Sequence, residues 1–250
     1  MISPRLRRPA RAGFTLVEIM ITMSIAVMAL GLTMSTFLYG LRTMYKDNVR
    51  LETNANLRAF IAQMTKETLD ASEFYIFPDY ESLDGSVDID NSDGSADTSS
   101  LEVDSYGTSI AHGDCVVLVT RTTVAVDARV RSIRIYYRTA KVATRNNDTP
   151  LRYYEVNYGS GGSATALGSL LNGINLKSNP NPSGSSQIID RAKGRRIGTT
   201  NNYYPIFCSE APTLSATNES FSINVEFING NSVNNLLSSS SFNYTISPRR

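Results

Sequence analysis

From Phe14 to Leu41 the chain runs for 28 residues with a single charge, Glu18. About 20 apolar residues in a helix cross a ~30 Å hydrocarbon layer, so the run is long enough to span a bilayer. A carboxylate five residues into such a segment costs on the order of 2.5 to 3.5 kcal/mol to insert, and it needs a dedicated partner. Residues 1–13 ahead of the run carry Arg5, Arg7, Arg8 and Arg11 and no acid. The positive-inside rule keeps such a leader in the cytoplasm. A secretory signal has its small-residue cleavage site after the apolar stretch, whereas here the small-residue junction beside the basic leader, Ala12-Gly13, precedes it. The bland alternative for Glu18 is a chance acid in a signal anchor, snorkelling to the interface.

Beyond Leu41 the helical pattern continues. Leu57, Phe60, Ile61, Met64 and either Thr68 or Leu69 recur at helical spacing, while Arg50, Glu52, Arg58, Lys66 and Glu67 keep the remaining surface polar. No proline interrupts residues 14–77, and Pro78 predicts the helix end. The chain then reads as strands between polar loops. Cys115 to Thr120 is a continuous apolar run suited to a buried central strand. Val130 to Arg138 alternates, with Val130, Ile133, Ile135 and Tyr137 facing a core and a slip at Ser132; Arg152 to Val156 is its hairpin partner. Phe221 to Ile228 alternates again and leads, through a turn at Asn229-Gly230-Asn231 and a serine-rich loop, to a last strand at Phe242 to Ile246. Residues 157–186 read as a solvated loop with a short helix at Ala164 to Leu171, and the serine run 238–241 reads as a second loop. The fold class expected is α+β, a long N-terminal helix laid on an antiparallel sheet. Its parts are a leader at 1–13, a membrane or filament-core helix at 14–41, an amphipathic continuation at 42–77 and a β-rich globular domain at 78–250.

The residues Gly13, Phe14, Thr15, Leu16, Val17 and Glu18, behind a basic leader and ahead of an apolar helix, resemble the class III leader of type IV pilins and pseudopilins. The resemblance implies cleavage between Gly13 and Phe14 by a prepilin peptidase and N-methylation of Phe14. Glu18 is then the fifth residue of the mature chain, set to neutralise the terminal amine of a neighbouring subunit in a helical filament. The implied partners are other pilins or pseudopilins, the peptidase and an inner-membrane assembly platform. The implied location is the inner membrane, N-terminus cytoplasmic and C-terminal domain periplasmic, and then the filament. Many major pilins kink this helix with a proline near the position of Ser35; here Gly31 and Gly40 are the soft points. The segments Ile135-Tyr136-Tyr137-Arg138, Leu151-Arg152-Tyr153-Tyr154 and Ser169 to Ile174 look like those of larger minor subunits, the J class of type II secretion and the W class of type IV pili.

Net charge falls from +1 to −3 when the four leader arginines are removed, which gives no argument for nucleic acid. Residues 67–120 hold thirteen acids and no Lys or Arg; residues 121–152 hold eight basic residues against Asp127 and Asp148. The two blocks either face each other within one domain or attract neighbouring subunits. Cys115 and Cys208 fit a disulfide in an oxidising compartment or two thiols. Asp88, Asp90, Asp93 and Asp97 around Gly94 offer the oxygen ligands and glycine turn of a Ca²⁺ loop, against a solvated acidic loop; the hand-type register fails at Ile89 and Ser100. Arg191-Ala192-Lys193-Gly194-Arg195-Arg196 is basic enough to touch DNA phosphates or simply to be solvated. His112, the single histidine, stands three positions before Cys115, and nothing else suggests an enzyme. A structural filament subunit is the first reading, and a membrane-anchored module binding calcium, DNA or a surface is the alternative.

Overall fold

The computed structural model describes residues 13–83, 101–103, 109–122, 129–140, 147–194, 205–209, 220–229 and 238–247. The chain forms two compact units, one up to Asn48 and one from Val49 onward. Helix α1 runs from Leu16 to Asp70. In the first unit its side chains are exposed on every face, including Leu16, Met20, Met23, Val27, Leu30 and Phe37. A helix that is apolar all round is made for burial in lipid or among other helices, not for one-sided packing on a core. It is long and apolar enough to cross a membrane. Gly31 and Gly40 do not break it, and neither has another atom nearby that a Cβ would meet.

In the second unit the same helix becomes one-sided. Val49, Thr53, Phe60, Met64 and Thr68 are buried, with Leu57 and Ile61 packed against the same core. Of the two candidates that closed the expected stripe, Thr68 faces the core and Leu69 stands 49% exposed. The helix stops seven residues earlier than Pro78 predicts. Ser72 N–H donates to Val119 O (2.8 Å), and residues 73–77 become strand β1, Glu73–Phe77. Glu-Phe-Tyr-Ile-Phe is rich in aromatic and β-branched side chains that suit a pleated surface, and the open partner edge outcompetes further helix.

The sheet is antiparallel throughout, with order β1-β4-β5-β6-β7-β9-β8-β3-β2 and β10 paired to β9. Its strands are β2 Leu101–Val103, β3 Ser109–Gly113, β4 Cys115–Arg121, β5 Val130–Arg138, β6 Thr149–Asn157, β7 Ser186–Gly194, β8 Phe207–Ser209, β9 Phe221–Asn229 and β10 Ser238–Ile246. The expected α+β arrangement is the one found. Strand β4 is apolar without interruption because both its faces are covered. Val116 and Leu118 join Phe60, Met64 and Tyr136 beneath α1, while Cys115, Val117 and Val119 join a second cluster with Val130, Ile133, Ile135 and Tyr137. The slip at Ser132 is a β-bulge: Thr120 pairs with Ser132 and Arg121 with Val130, so Arg131 is extra and Val130 returns to the face of Ile133.

Two loop assignments change. The stretch after β6 is a lid on the second cluster: helix α2, Leu167–Ile174, and the turn beyond it bury Leu167, Leu171 and Leu176, and Tyr137 Oη donates to Pro180 O (2.8 Å). The serine run 238–241 is strand, paired with residues 226–229 of β9. Serine carries no apolar signal, so only the cross-strand partner reveals it.

One buried ion pair ties the strands together. Arg138, at the end of β5, and Asp114, between β3 and β4, are both fully buried, with Nη2 2.8 Å from Oδ2. Arg138 Nη1 also donates to Asn147 O (2.9 Å), and Asp114 Oδ1 accepts Ile206 N–H (3.1 Å). Gly113 beside it is forced: a Cβ there would sit 1.7 Å from Phe77 O. Replacing Arg138 with Met strands a buried carboxylate and is expected to cost about 3 to 5 kcal/mol in urea unfolding of the second unit. Gly113→Ala is expected to cost about 1 to 3 kcal/mol in the same measurement, since backbone must move. The phenols of Tyr75, Tyr136 and Tyr153 are pushed up, first by burial and then by Glu73 or Glu67. Their folded-state values lie above the unfolded value of about 10, so their contribution is fully present below pH ~10 and is lost as pH rises through the folded values. Alkaline titration at 295 nm is expected to show these phenols ionising only together with unfolding.

Candidate functional site

The chemistry-bearing end of α1 is built by its first turn. Thr15 stands at the N-cap, and its Oγ1 accepts the Glu18 N–H (3.3 Å) while its carbonyl accepts Ile19 N–H (3.2 Å). Thr15-x-x-Glu18 has the spacing of a capping box, in which the threonine satisfies the third helical amide and the glutamate lies beside the first turn. A carboxylate there is favoured by the partial positive charge of the helix N-terminus. The motif was readable as Thr followed three residues later by Glu, a signal overlooked when Glu18 is read only as a lone acid in an apolar run. Gly13 and Phe14 precede the helix, and Phe14 is 77% exposed. Among the described residues no cation is paired with Glu18. Cleavage after Gly13 would put a new amine one residue before the cap, within the same short segment as the carboxylate.

Further along this segment the hydroxyls turn back on the helix. Thr22, Ser24, Thr33, Thr36 and Thr43 donate to the carbonyls of Ile19, Met20, Leu30, Leu32 and Tyr39 at 2.9 to 3.0 Å. These polar groups therefore have partners without water, as an apolar surrounding demands.

The other candidate residues do not assemble into one site. Cys115 and Cys208 are both thiols rather than a bridge. Cys115 points into the second cluster, while Cys208 Sγ lies 3.7 Å from Pro205 O. Of the two readings of this pair, the thiols are the one found. Burial, then Asp79 and Asp114, pushes the Cys115 thiol well up, which opposes the thiolate a nucleophile requires. His112 is aligned with Cys208 across β3 and β8 rather than with Cys115. The calcium candidates Asp88, Asp90, Asp93 and Asp97 lie outside the described residues. Among those described, no group of three or more metal-ligating side chains is present.

The two described basic residues of the run, Arg191 and Lys193, face carboxylates. Arg191 pairs with Asp148 and Lys193 lies 3.8 Å from Glu226, with Arg195 and Arg196 outside the described residues. The two charge blocks meet inside the domain. Glu73 pairs with Arg121 (2.6 Å), Asp70 with Arg134 (3.0 Å) and Asp114 with Arg138, because β1, β4 and β5 are neighbours. Of the two readings of that asymmetry, the intradomain one accounts for these residues.

A family model described as the prokaryotic N-terminal methylation motif matches residues 8–34. No curated protein and no solved structure matches the chain. Replacing Thr15 with Ala is expected to cost about 1 kcal/mol of first-turn stability, read as faster amide exchange at residues 17–19 in detergent micelles, with the second unit unchanged. The chain carries an N-terminal methylation motif of the type IV pilin and pseudopilin type, on a helix whose first turn presents that motif's glutamate.

Proposed function

We propose that this chain is a structural minor subunit of a type IV pilus or a type II secretion pseudopilus, of the larger J or W class, and not an enzyme. Prepilin peptidase cuts after Gly13, Phe14 is N-methylated, and the subunit waits in the inner membrane with its β-rich domain in the periplasm. An assembly platform then draws it into a filament whose core is made of packed N-terminal helices. The observation that carries this reading is the conjunction of the motif at residues 8–34 with a helix apolar on every face. A carboxylate in that helix is tolerable once the free amine of an adjacent copy meets it.

The alternative is a membrane-tethered binding module, in which the apolar helix is only an anchor. Its basic cluster is half consumed by Asp148 and Glu226, which leaves the filament reading the stronger one.

Mass spectrometry of the purified protein is expected to find an N-terminus at methylated Phe14; a chain still starting at Met1 in cells with active peptidase sinks the proposal. Glu18→Ala is expected to leave the protein processed and membrane-bound but missing from sheared filaments. A tether would keep its function with that change.

A further inference from the structure

The outer end of the apolar run changes character abruptly. Counted from Glu18, the about 20 apolar residues that fill a ~30 Å hydrocarbon layer end near Leu38. Tyr39, Arg42, Tyr45 and Lys46 follow, with no acid among residues 39–46, and all four are exposed. Tyr39, Arg42 and Lys46 stand at i, i+3 and i+7 of α1, which puts them on one face. Among the described residues neither Arg42 nor Lys46 forms an ion pair. Asp47, next in the chain, lies about 100° around the helix from Lys46 and pairs with neither cation. Like charges four residues apart destabilise a helix, and an anion shared between them removes that repulsion.

Depth decides which anion. At 1.5 Å per residue Arg42 and Lys46 lie about 6 and 12 Å beyond Leu38, and the headgroup layer outside the hydrocarbon is roughly 5 to 7 Å deep on each side. The Arg42 guanidinium falls within that layer, and the Lys46 stem is long enough to reach back to it. Tyrosine is enriched at the same depth, ring in the apolar boundary and hydroxyl at the water. The group of complementary charge found there is the phosphodiester of a phospholipid. Charge sorting alone does not account for the pair, because the positive-inside rule collects Lys and Arg at the cytoplasmic end, where the leader holds its four arginines.

We infer that Tyr39, Arg42 and Lys46 form a headgroup site for an anionic phospholipid at the outer end of the span, fixing the depth at which the subunit waits in the membrane. The inference rests on the membrane-stored subunit proposed above and adds a lipid to it. Extraction into a filament breaks this contact.

The test uses the full-length chain with Leu41→Trp, which gives a protein lacking tryptophan a single indole. It is placed in phosphatidylcholine vesicles containing a minor fraction of dibrominated phosphatidylglycerol, whose bromines quench an indole they touch. Quenching is expected to exceed that from the same fraction of dibrominated phosphatidylcholine, to an extent matching about fivefold local enrichment of the anionic lipid. The preference is expected to vanish in Arg42→Gln/Lys46→Gln, while quenching by brominated phosphatidylcholine shows that the double variant is still inserted. Equal quenching by the two lipids in the parent would overturn the site and leave the membrane reading intact. A preference that survives in the double variant would also overturn the assignment to these residues. An indole that neither lipid quenches lies outside the bilayer and would overturn both.

Discussion

Helix α1 has to satisfy two surroundings with one backbone, and that constraint orders the rest of the molecule. Up to Asn48 its large apolar side chains stand exposed, while from Val49 onward a single stripe is buried on the sheet. The first half thus depends on a surrounding medium or on other copies for its burial, and the second half brings its own. Each large aliphatic side chain moved from water to an apolar setting is worth about 1.5 to 3 kcal/mol. More than a dozen stand exposed between Phe14 and Tyr45. That driving force exceeds the cost of the single Glu18, so the segment tolerates one carboxylate.

The second unit solves a different problem, holding a ten-stranded sheet in register with loops of uneven length. Asp114 and Arg138 sit where β3 turns into β4 and where β5 ends, and their side chains collect Asn147 O from the loop after β5 and Ile206 N–H from a segment 92 residues beyond Asp114. Ion pairs of this kind contribute little net stability against apolar replacements but penalise any arrangement that separates them. Around the seam with α1, Tyr136 donates to Glu67 (2.7 Å) and Arg134 bridges Asp70 and Glu155, so the helix end is held by directional bonds as well as by Phe60 and Met64. Asp70, Glu73 and Asp114 of the acidic block and Arg121, Arg134 and Arg138 of the basic block are matched by this internal pairing.

What was legible in the sequence is what periodicity and composition encode. The apolar run, the stripe of Phe60 and Met64, the two-sided strand at Cys115 to Thr120 and the hairpin of β5 with β6 all follow from where apolar residues recur. The misses share a cause: partners distant in sequence. Residues 73–77 leave the helix because Val119 offers them an edge, and serines 238–241 become strand because β9 does. Leu167, Leu171 and Leu176 were hidden in a glycine- and serine-rich stretch, since three leucines there acquire meaning only once Tyr137 and Val130 need a cover. Thr15 differs: its cap with Glu18 is a local signal, carried by the three-residue spacing alone.

The two ends of the protein consequently carry independent information. The first turn of α1 and the sheet belong to separate compact units, and changes at such distant sites are expected to add independently in stability. In the filament proposed above, a terminal amine and the Glu18 carboxylate buried together would attract more strongly as the local dielectric falls.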